Sequence, residues 1–229
     1  PLAMAAGCAT LDLVARKALP AIDLGPLGRP HGITIAGGRV FFTAEGAKVV
    51  ARFDPATQKV DWVIGTGQDR THMVVVSSDQ RQIFTTNVAS ATVCILEQVT
   101  VTRRGGPPPG TPPPGPAGRG PVGQGRGGPP TPTTDWRVTV VPVGPGAEGF
   151  DLSPNGRELW VANAQAGSVS IVDVAAKQVV ETLNVPFRSA NRLKFTPDGR
   201  LALISDLGGT DVIVMDVATR KEIKRIDVG

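Results

Sequence analysis

The stretch 148–185, EGFDLSPNGRELWVANAQAGSVSIVDVAAKQVVETLNV, decides how the rest of the chain is read. It contains four short runs in which apolar and polar residues alternate. FDLS comes first. ELWVAN follows the turn Pro154-Asn155-Gly156, SVSIVD follows Ala166-Gly167, and QVVETLNV follows Ala175-Ala176-Lys177. Alternation over such short runs, broken by Gly, Pro and Asn, predicts antiparallel strands joined by tight turns and no helix.

Outward from this stretch the unit repeats. Ser153-Pro154-Asn155-Gly156-Arg157 returns 43 residues later as Thr196-Pro197-Asp198-Gly199-Arg200, and Ile171-Val172-Asp173 returns as Val214-Met215-Asp216. Asp54, Glu97, Asp173 and Asp216 mark one position, expected to start the third turn of each unit. Asp54 to Glu97 is again 43 residues, whereas Glu97 to Asp173 is 76, so 33 residues are inserted there. The segment Asp12–Gly25, DLVARKALPAIDLG, lies without a gap on Asp216–Gly229, DVATRKEIKRIDVG. A four-stranded unit with a period of about 40–45 residues predicts an all-β chain of β-propeller blades. The expected organisation is one domain over 1–229: the outer half of one blade near 1–27, then full blades near 30–67, 70–145, 147–186 and 189–229. A propeller gains stability by closing its ring, and this arc leaves a blade incomplete. The chain therefore reads as part of a longer protein whose remaining blades come from the parent chain.

Composition fits the same class. Aromatic residues make up 4% and hydrophobic residues 41%, with 28 Gly and 21 Pro. No apolar run approaches the roughly 20 residues that span a bilayer as a helix. The net charge of +4 is local: 99–134 carries Arg103, Arg104, Arg119 and Arg126 and no acid, and the remaining 20 basic residues balance 20 acids. The pI of about 9.5 is therefore poor evidence for a nucleic-acid partner. Cys8 and Cys94 fall a whole blade apart, too far for a disulfide, and are expected as free thiols. Ala5-Ala6-Gly7-Cys8 superficially matches a lipoprotein cleavage box, but no charged or fully apolar run precedes it and a repeat-matching strand follows, so no lipidation is expected.

The insertion, 99–134, is a Pro/Gly-rich tract that supports neither helix nor strand pairing, because Pro lacks a donor and Gly is costly to order. It is expected as a disordered or polyproline-like loop within the second full blade, with strand pattern resuming at Trp136.

The run Leu159-Trp160-Val161-Ala162-Asn163, continued by SVSIVDVAAKQVVETLNV, resembles the YVTN-type β-propeller repeat, and Ile83-Phe84-Thr85-Thr86-Asn87 is similar. The first full blade, PHGITIAGGRVFFTAEGAKVVARFDP, also resembles propellers of the streptogramin lyase type. The resemblance covers nearly all of the chain outside the insertion. It implies a seven-bladed ring of the cytochrome-d1 and lactonase-like superfamily, exported to the periplasm or cell surface of a bacterium. Such relatives include binding proteins, lactonase-like enzymes, lyases and redox propellers.

In a propeller the first strand of each blade lines the central channel, so the residue just before it is the one to inspect. Those residues are His31, His72, Glu148 and Asn191, which include both histidines of the chain. Arg29 and Arg70 stand two residues before the histidines, and Arg188 and Arg192 flank Asn191. These eight residues are the candidate ligand rim. His31, His72 and Glu148 are also the candidate catalytic groups. Imidazoles beside a carboxylate suit a metal or an anionic ligand, but the spacing of adjacent blades argues against shared coordination, so no metal and no cofactor is expected, and His31 and His72 are the residues that would hold a metal if one bound. A second set, Glu45, Asn87, Asn163 and Asp206, closes each second strand and is expected to cap the turn that follows. No nucleophile elbow, phosphate loop, dinucleotide fingerprint, zinc pattern or CxxCH haem motif occurs.

The reading is an exported binding scaffold with an unidentified protein or small-molecule partner at the channel mouth. The alternatives are a lactonase- or lyase-like propeller enzyme and a domain of a redox protein. Limited proteolysis should cut first between Arg103 and Arg126, and a tract that resists cleavage would overturn the loop assignment.

Overall fold

The computed structural model describes residues 7–103 and 131–229, except the side chains of 103 and 131, and is all-β. The strands are β1 (Gly7–Asp12), β2 (Lys17–Asp23), β3 (Pro30–Ala36), β4 (Arg39–Ala44), β5 (Val49–Asp54), β6 (Lys59–Gly65), β7 (Thr71–Val76), β8 (Gln82–Asn87) and β9 (Thr92–Arg103). They continue as β10 (Thr131–Pro142), β11 (Ala147–Leu152), β12 (Glu158–Asn163), β13 (Ser168–Asp173), β14 (Gln178–Asn184), β15 (Ala190–Phe195), β16 (Leu201–Asp206), β17 (Asp211–Asp216) and β18 (Lys221–Asp227). Four four-stranded sheets, β3–β6, β7–β10, β11–β14 and β15–β18, are the blades of a β-propeller, and β1–β2 is a two-stranded sheet before them. No helix among the described residues is long and apolar enough to cross a membrane.

Turn chemistry sets the blade edges. Ser153 Oγ donates to Asn155 Oδ1 and accepts from the Glu158 amide, while the Arg157 amide donates to Asn155 Oδ1. Ser77/Asp79 and Thr196/Asp198 repeat this arrangement. The third turns are closed by carboxylates that accept from backbone amides, Asp54 from Ala56, Asp173 from Ala176 and Asp216 from Thr219. Both are the side-chain-to-backbone turns that Ser, Thr, Asp and Asn favour.

The inner strands β8, β12 and β13 of the middle blades are buried on both faces. In β12 every residue after Glu158 is buried, and Trp160 and Ile171 pack with Leu193, Ile204, Ile213 and Met215 of the next blade. The opposite face of the third blade, with Leu159, Val161 and Val172, packs on Phe84, Val93 and Ile95 of the second. The outermost strand β6 instead alternates between exposed and half-buried residues.

The first strands lie side by side, β3 against β7, β7 against β11 and β11 against β15. A side-chain hydroxyl fastens the first two of these steps. The buried Gly32 amide donates to Thr43 Oγ1 (2.8 Å), which donates to the His72 carbonyl of the next blade (2.5 Å). Thr86 repeats this, accepting from the Met73 amide and donating to the Glu148 carbonyl at 2.6 Å. Ala162 occupies the equivalent place in the third blade and has no hydroxyl. There, as at Gly32 in the first step, a Cβ on Gly149 would fall into the backbone of the next blade.

The strand bounds correct the expected insertion limits. β9 runs on through Arg103 and β10 begins at Thr131, so both enter the span 99–134 that was assigned to a loop. Val, Thr and Arg at 99–103 continue the alternation, and Thr131 and Thr133 are good strand formers despite Pro132 between them. The rest of the tract, 104–130, lies outside the described residues. Glu97 also does not start a turn, because it lies within β9. The chain comprises two compact units, Pro1–Glu97 with Val138–Gly229, and Gln98–Arg137. The second contains the end of β9 and the start of β10, where Thr133 Oγ1 donates to the Val101 carbonyl at 3.4 Å. Cys8 and Cys94 are both free.

Thr43→Val keeps shape but strands a buried amide and a carbonyl at the step between the first two blades. It should cost about 1–3 kcal/mol, and Thr43→Ser should recover most of that. Urea unfolding midpoints decide the matter; an unchanged Thr43→Val midpoint would remove the hydroxyl's role.

Candidate functional site

Each blade carries the same irregularity in its first strand. The pairing of β3 with β4 shifts register between Pro30 and Ile33, that of β7 with β8 between Thr71 and Val74, that of β11 with β12 between Ala147 and Phe150, and that of β15 with β16 between Ala190 and Leu193. His31, His72, Glu148 and Asn191 therefore stand at four equivalent bulges. They do not precede the first strand, as the sequence suggested, but are its second residue. A bulge bends the strand and re-aims the side chain on it.

At three of these bulges the side chains meet. The imidazoles of His31 and His72 stack with ring centroids 3.6 Å apart and planes inclined by 28°. Adjacent blades thus bring their ring residues into contact, contrary to the expectation that the spacing keeps them apart. His72 is 3% exposed. Its Nδ1 is hydrogen-bonded to Glu45 Oε1 at 2.7 Å. Its Nε2 lies 2.7 Å from Glu148 Oε2, yet out of line for a directed hydrogen bond, so this buried ring nitrogen has no bonding partner among the described residues.

Arginines surround the two carboxylates. Arg29 Nη2 reaches Glu45 Oε2 at 3.1 Å, Arg70 Nε stands 3.6 Å from Glu45 Oε1, and Arg192 Nη1 stands 3.5 Å from Glu148 Oε2. All three guanidiniums are about half exposed, so the cluster opens to solvent on its cationic side. His31 is exposed, and one face of its ring lies on His72.

The carboxylates respond to these neighbours. Burial works against charge on Glu45, but the hydrogen bond and charge of His72, with Arg70 and His31, outweigh it and hold the carboxyl below the usual glutamate range. At Glu148 the close contact with His72 is the largest influence and lowers the pKa; burial opposes it, and Arg192 and Arg70 add to the lowering. Burial and then the neighbouring His72 push the His31 pKa down.

Two candidates do not join the cluster. The Arg188 amide is held by Asp206 Oδ2 at 2.9 Å and its guanidinium donates to the Gly208 carbonyl. Asn191 contributes the backbone against which Gly149 packs. The fourth bulge thus supplies Arg192 alone.

Glu45 departs from the turn-capping set. Asn87, Asn163 and Asp206 bond within their own blades, as a cap requires. They pair with Thr71, Ala147 and Ala190, whereas in the first blade the residue paired with Pro30 is Ala44. Glu45 is one residue further on. The Glu45 amide donates to the Arg29 carbonyl, and in the other blades Val88, Ala164 and Leu207 make that bond to Arg70, Gly146 and Ser189. A carboxylate stands where the other blades have apolar residues. The 43-residue period itself carries this signal, since Glu45 falls on Val88. In a cleft between the second and third blades, Ser77, Asp79, Ser153 and Asn155 are committed to the turns, Gln82 to Glu97, and Asp151 to Lys194 and the Phe195 amide.

No family model matches the chain, and no curated protein matches it in sequence. Among solved structures it is similar to the Kuenenia stuttgartiensis hydrazine synthase, with 17% sequence identity and a TM-score of 0.64. The match covers 88% of this chain and 49% of that one, so this chain spans about half of its length. A likeness at this identity defines the class, a β-propeller, and says nothing of the chemistry.

The folded state holds both carboxyls below their unfolded values. Their contribution to stability is therefore complete above the usual glutamate pKa and is lost as pH falls through the folded values. Glu45→Gln and Glu148→Gln should each flatten the acid limb of a stability-against-pH curve. Glu45→Gln should also cost about 1–3 kcal/mol at neutral pH, from a weakened bond to a buried ring. Unfolding free energies between pH 3 and 7 supply the check, and an unaltered acid limb in both variants would show that the cluster contributes nothing there.

Proposed function

We propose that this chain is part of an exported, YVTN-type binding propeller that holds a small anionic ligand, such as a carboxylate-bearing metabolite, at the rim formed by its first-strand bulges. The carrying observation is the convergence of Arg29, Arg70 and Arg192 on Glu45, Glu148 and the two imidazoles. Three guanidiniums against two carboxylates leave one positive charge in excess with the histidines neutral. The guanidiniums also retain exposed donors in a geometry suited to bidentate recognition of a planar anion. The YVTN assignment and the export rest on the repeat resemblance alone.

A second reading, a lactonase- or lyase-like enzyme, is supported by the Glu45–His72 pair. A buried carboxylate on one imidazole nitrogen, with the other nitrogen unbonded, is the arrangement of a positioned general base. A redox role draws no support from a fold-level likeness to a hydrazine synthase.

Calorimetric titration with acetate, succinate and citrate tests the binding reading. Citrate should bind most tightly, Arg29→Ala and Arg192→Ala should each weaken it about tenfold or more, and Arg188→Ala, outside the cluster, should not. Equal affinity in all three variants, or no binding at millimolar citrate, overturns it. Turnover in a lactone panel that His72→Gln abolishes would place catalysis ahead of binding.

A further inference from the structure

We propose that His31, Glu45 and His72 form a site for a divalent transition metal of the zinc class, straddling the first two blades. This inference rests on the preceding reading for its place at the rim, and on its own donors for its chemistry.

One donor atom from each of the three residues lies within 4.8 Å of the other two. Bonds of about 2.0–2.2 Å to a common ion bring donors to roughly 3–4 Å of one another. The 2.7 Å contact between Glu45 Oε1 and His72 Nδ1 must open to admit the ion, and His31, whose exposed ring is stacked on His72 and held by no hydrogen bond among the described residues, must turn toward it. Two imidazole nitrogens and one carboxylate oxygen form a borderline donor set. It suits Zn2+, Co2+ or Cu2+, and it lacks the six or more oxygens that calcium takes.

The bonding around His72 supplies a second argument. Its two nitrogens lie 2.7 Å from two different carboxylates. When the ring is neutral it carries one proton and can donate to only one of them, and the other nitrogen then presents its lone pair to an anion. With the proton on Nδ1, bonded to Glu45, the buried Nε2 is left in that position against Glu148. A cation between Glu45 and His72 Nδ1 resolves this. The ring proton moves to Nε2, where a turn of the Glu148 carboxylate, 2.7 Å away, lets it accept that N–H in a hydrogen bond; the proton stays on the ring and the metal occupies the place it left, so no proton is gained or lost. Glu148 then stands behind a metal-bound imidazole as the carboxylate that orients it, a common outer partner of zinc-bound histidine. Arg29 on Glu45 Oε2 fixes the carboxylate in the same way.

The repeat makes the third argument. Val88, Ala164 and Leu207 show that the fold needs no carboxylate at the position of Glu45. Glu45 nevertheless is 8% exposed, at a place where charge is costly to bury. Three protein ligands leave a coordination position open, as in zinc sites that bind a water or an anion. Arg29 and Arg70 stand at Glu45 and Arg192 at Glu148, beside the three ligands.

The test uses the untagged full chain, stripped with chelator, titrated with ZnCl2 against a chromophoric chelator and with CoCl2 by visible absorption. One ion per chain is expected. His31→Ala, at an exposed position that leaves the fold intact, should weaken zinc binding about 100-fold. Glu45→Gln should do likewise, and Glu148→Gln should weaken it about tenfold. Cys94→Ala should have no effect, and the cobalt complex should show nitrogen and oxygen ligation without a thiolate charge-transfer band. Absence of zinc binding by the wild type overturns the proposal, as does His31→Ala binding zinc like the wild type. Citrate binding without zinc binding removes the metal and leaves the rim reading standing. Zinc binding with no anion binding does the reverse.

Discussion

The close approach of the four first strands is the constraint on which the rest of this structure depends. β3, β7, β11 and β15 lie side by side, and backbone polar groups that face one another at that distance must be bonded or be a source of instability. Thr43 and Thr86 meet the need with one hydroxyl that accepts from its own blade and donates to the next. At the third step Ala162 offers no hydroxyl, and Gly149, like Gly32 at the first step, has no side chain to hold the strands apart. The carbonyls engaged by the threonines belong to His72 and Glu148, so the groups that fasten the blades also set the backbone from which the rim side chains project.

The rim is more costly than the fold requires. Arg29 and Arg70 both have left-handed backbones, with φ of 59° and 53°, at a position where the third blade has Gly146 with φ of 75°. A non-glycine residue there costs about 1–2 kcal/mol relative to the ordinary conformation. Glycine would relieve the strain, and the third blade shows that it is compatible with the blade. The arginines are retained in a strained conformation where their heads meet a buried carboxylate. Local strain held in place by surrounding structure is a recurrent property of ligand sites.

The fold was legible because a blade writes itself twice, in alternating strands and in turn chemistry. Ser153-Pro154-Asn155-Gly156 and Thr196-Pro197-Asp198-Gly199 look alike in sequence because the same hydroxyl and side-chain oxygen close the same turn. The ring position was legible for the same reason, and His31, His72 and Glu148 do converge. Glu45 was not recognised. Its neighbour Ala44 pairs with Pro30, and one residue separates a cap that bonds inward from a carboxylate that reaches the next blade. Side-chain direction reverses at each residue of a strand, so such an error changes the role assigned. Arg188 and Asn191 were over-read for a related reason. Equivalence in a repeat gives position, whereas contact depends on side-chain length and on competing partners, and Asp206 already holds the segment at Arg188 and Ser189. The prolines of the insertion concealed the reach of β9 and β10, because composition averaged over the tract masks the alternating residues at its two ends.

A repeated scaffold presents the same slot at every blade, so chemistry can enter only by breaking the repeat. The four slots here hold His, His, Glu and Asn, and the residues that follow the second strands are Glu45, Val88, Ala164 and Leu207. The departures coincide at the first three blades. There His72 takes one carboxylate from the preceding blade and lies against another from the following blade. At the fourth blade, by contrast, Asp206 satisfies backbone amides and contributes only to the fold. A carboxylate that satisfies three amides needs nothing further. One that shares a buried imidazole with a second carboxylate is balanced by arginines, Arg29 and Arg70 at Glu45 and Arg192 at Glu148. That difference in local bonding, rather than any feature of the propeller as a class, separates the structural acids of this chain from the pair available to a ligand.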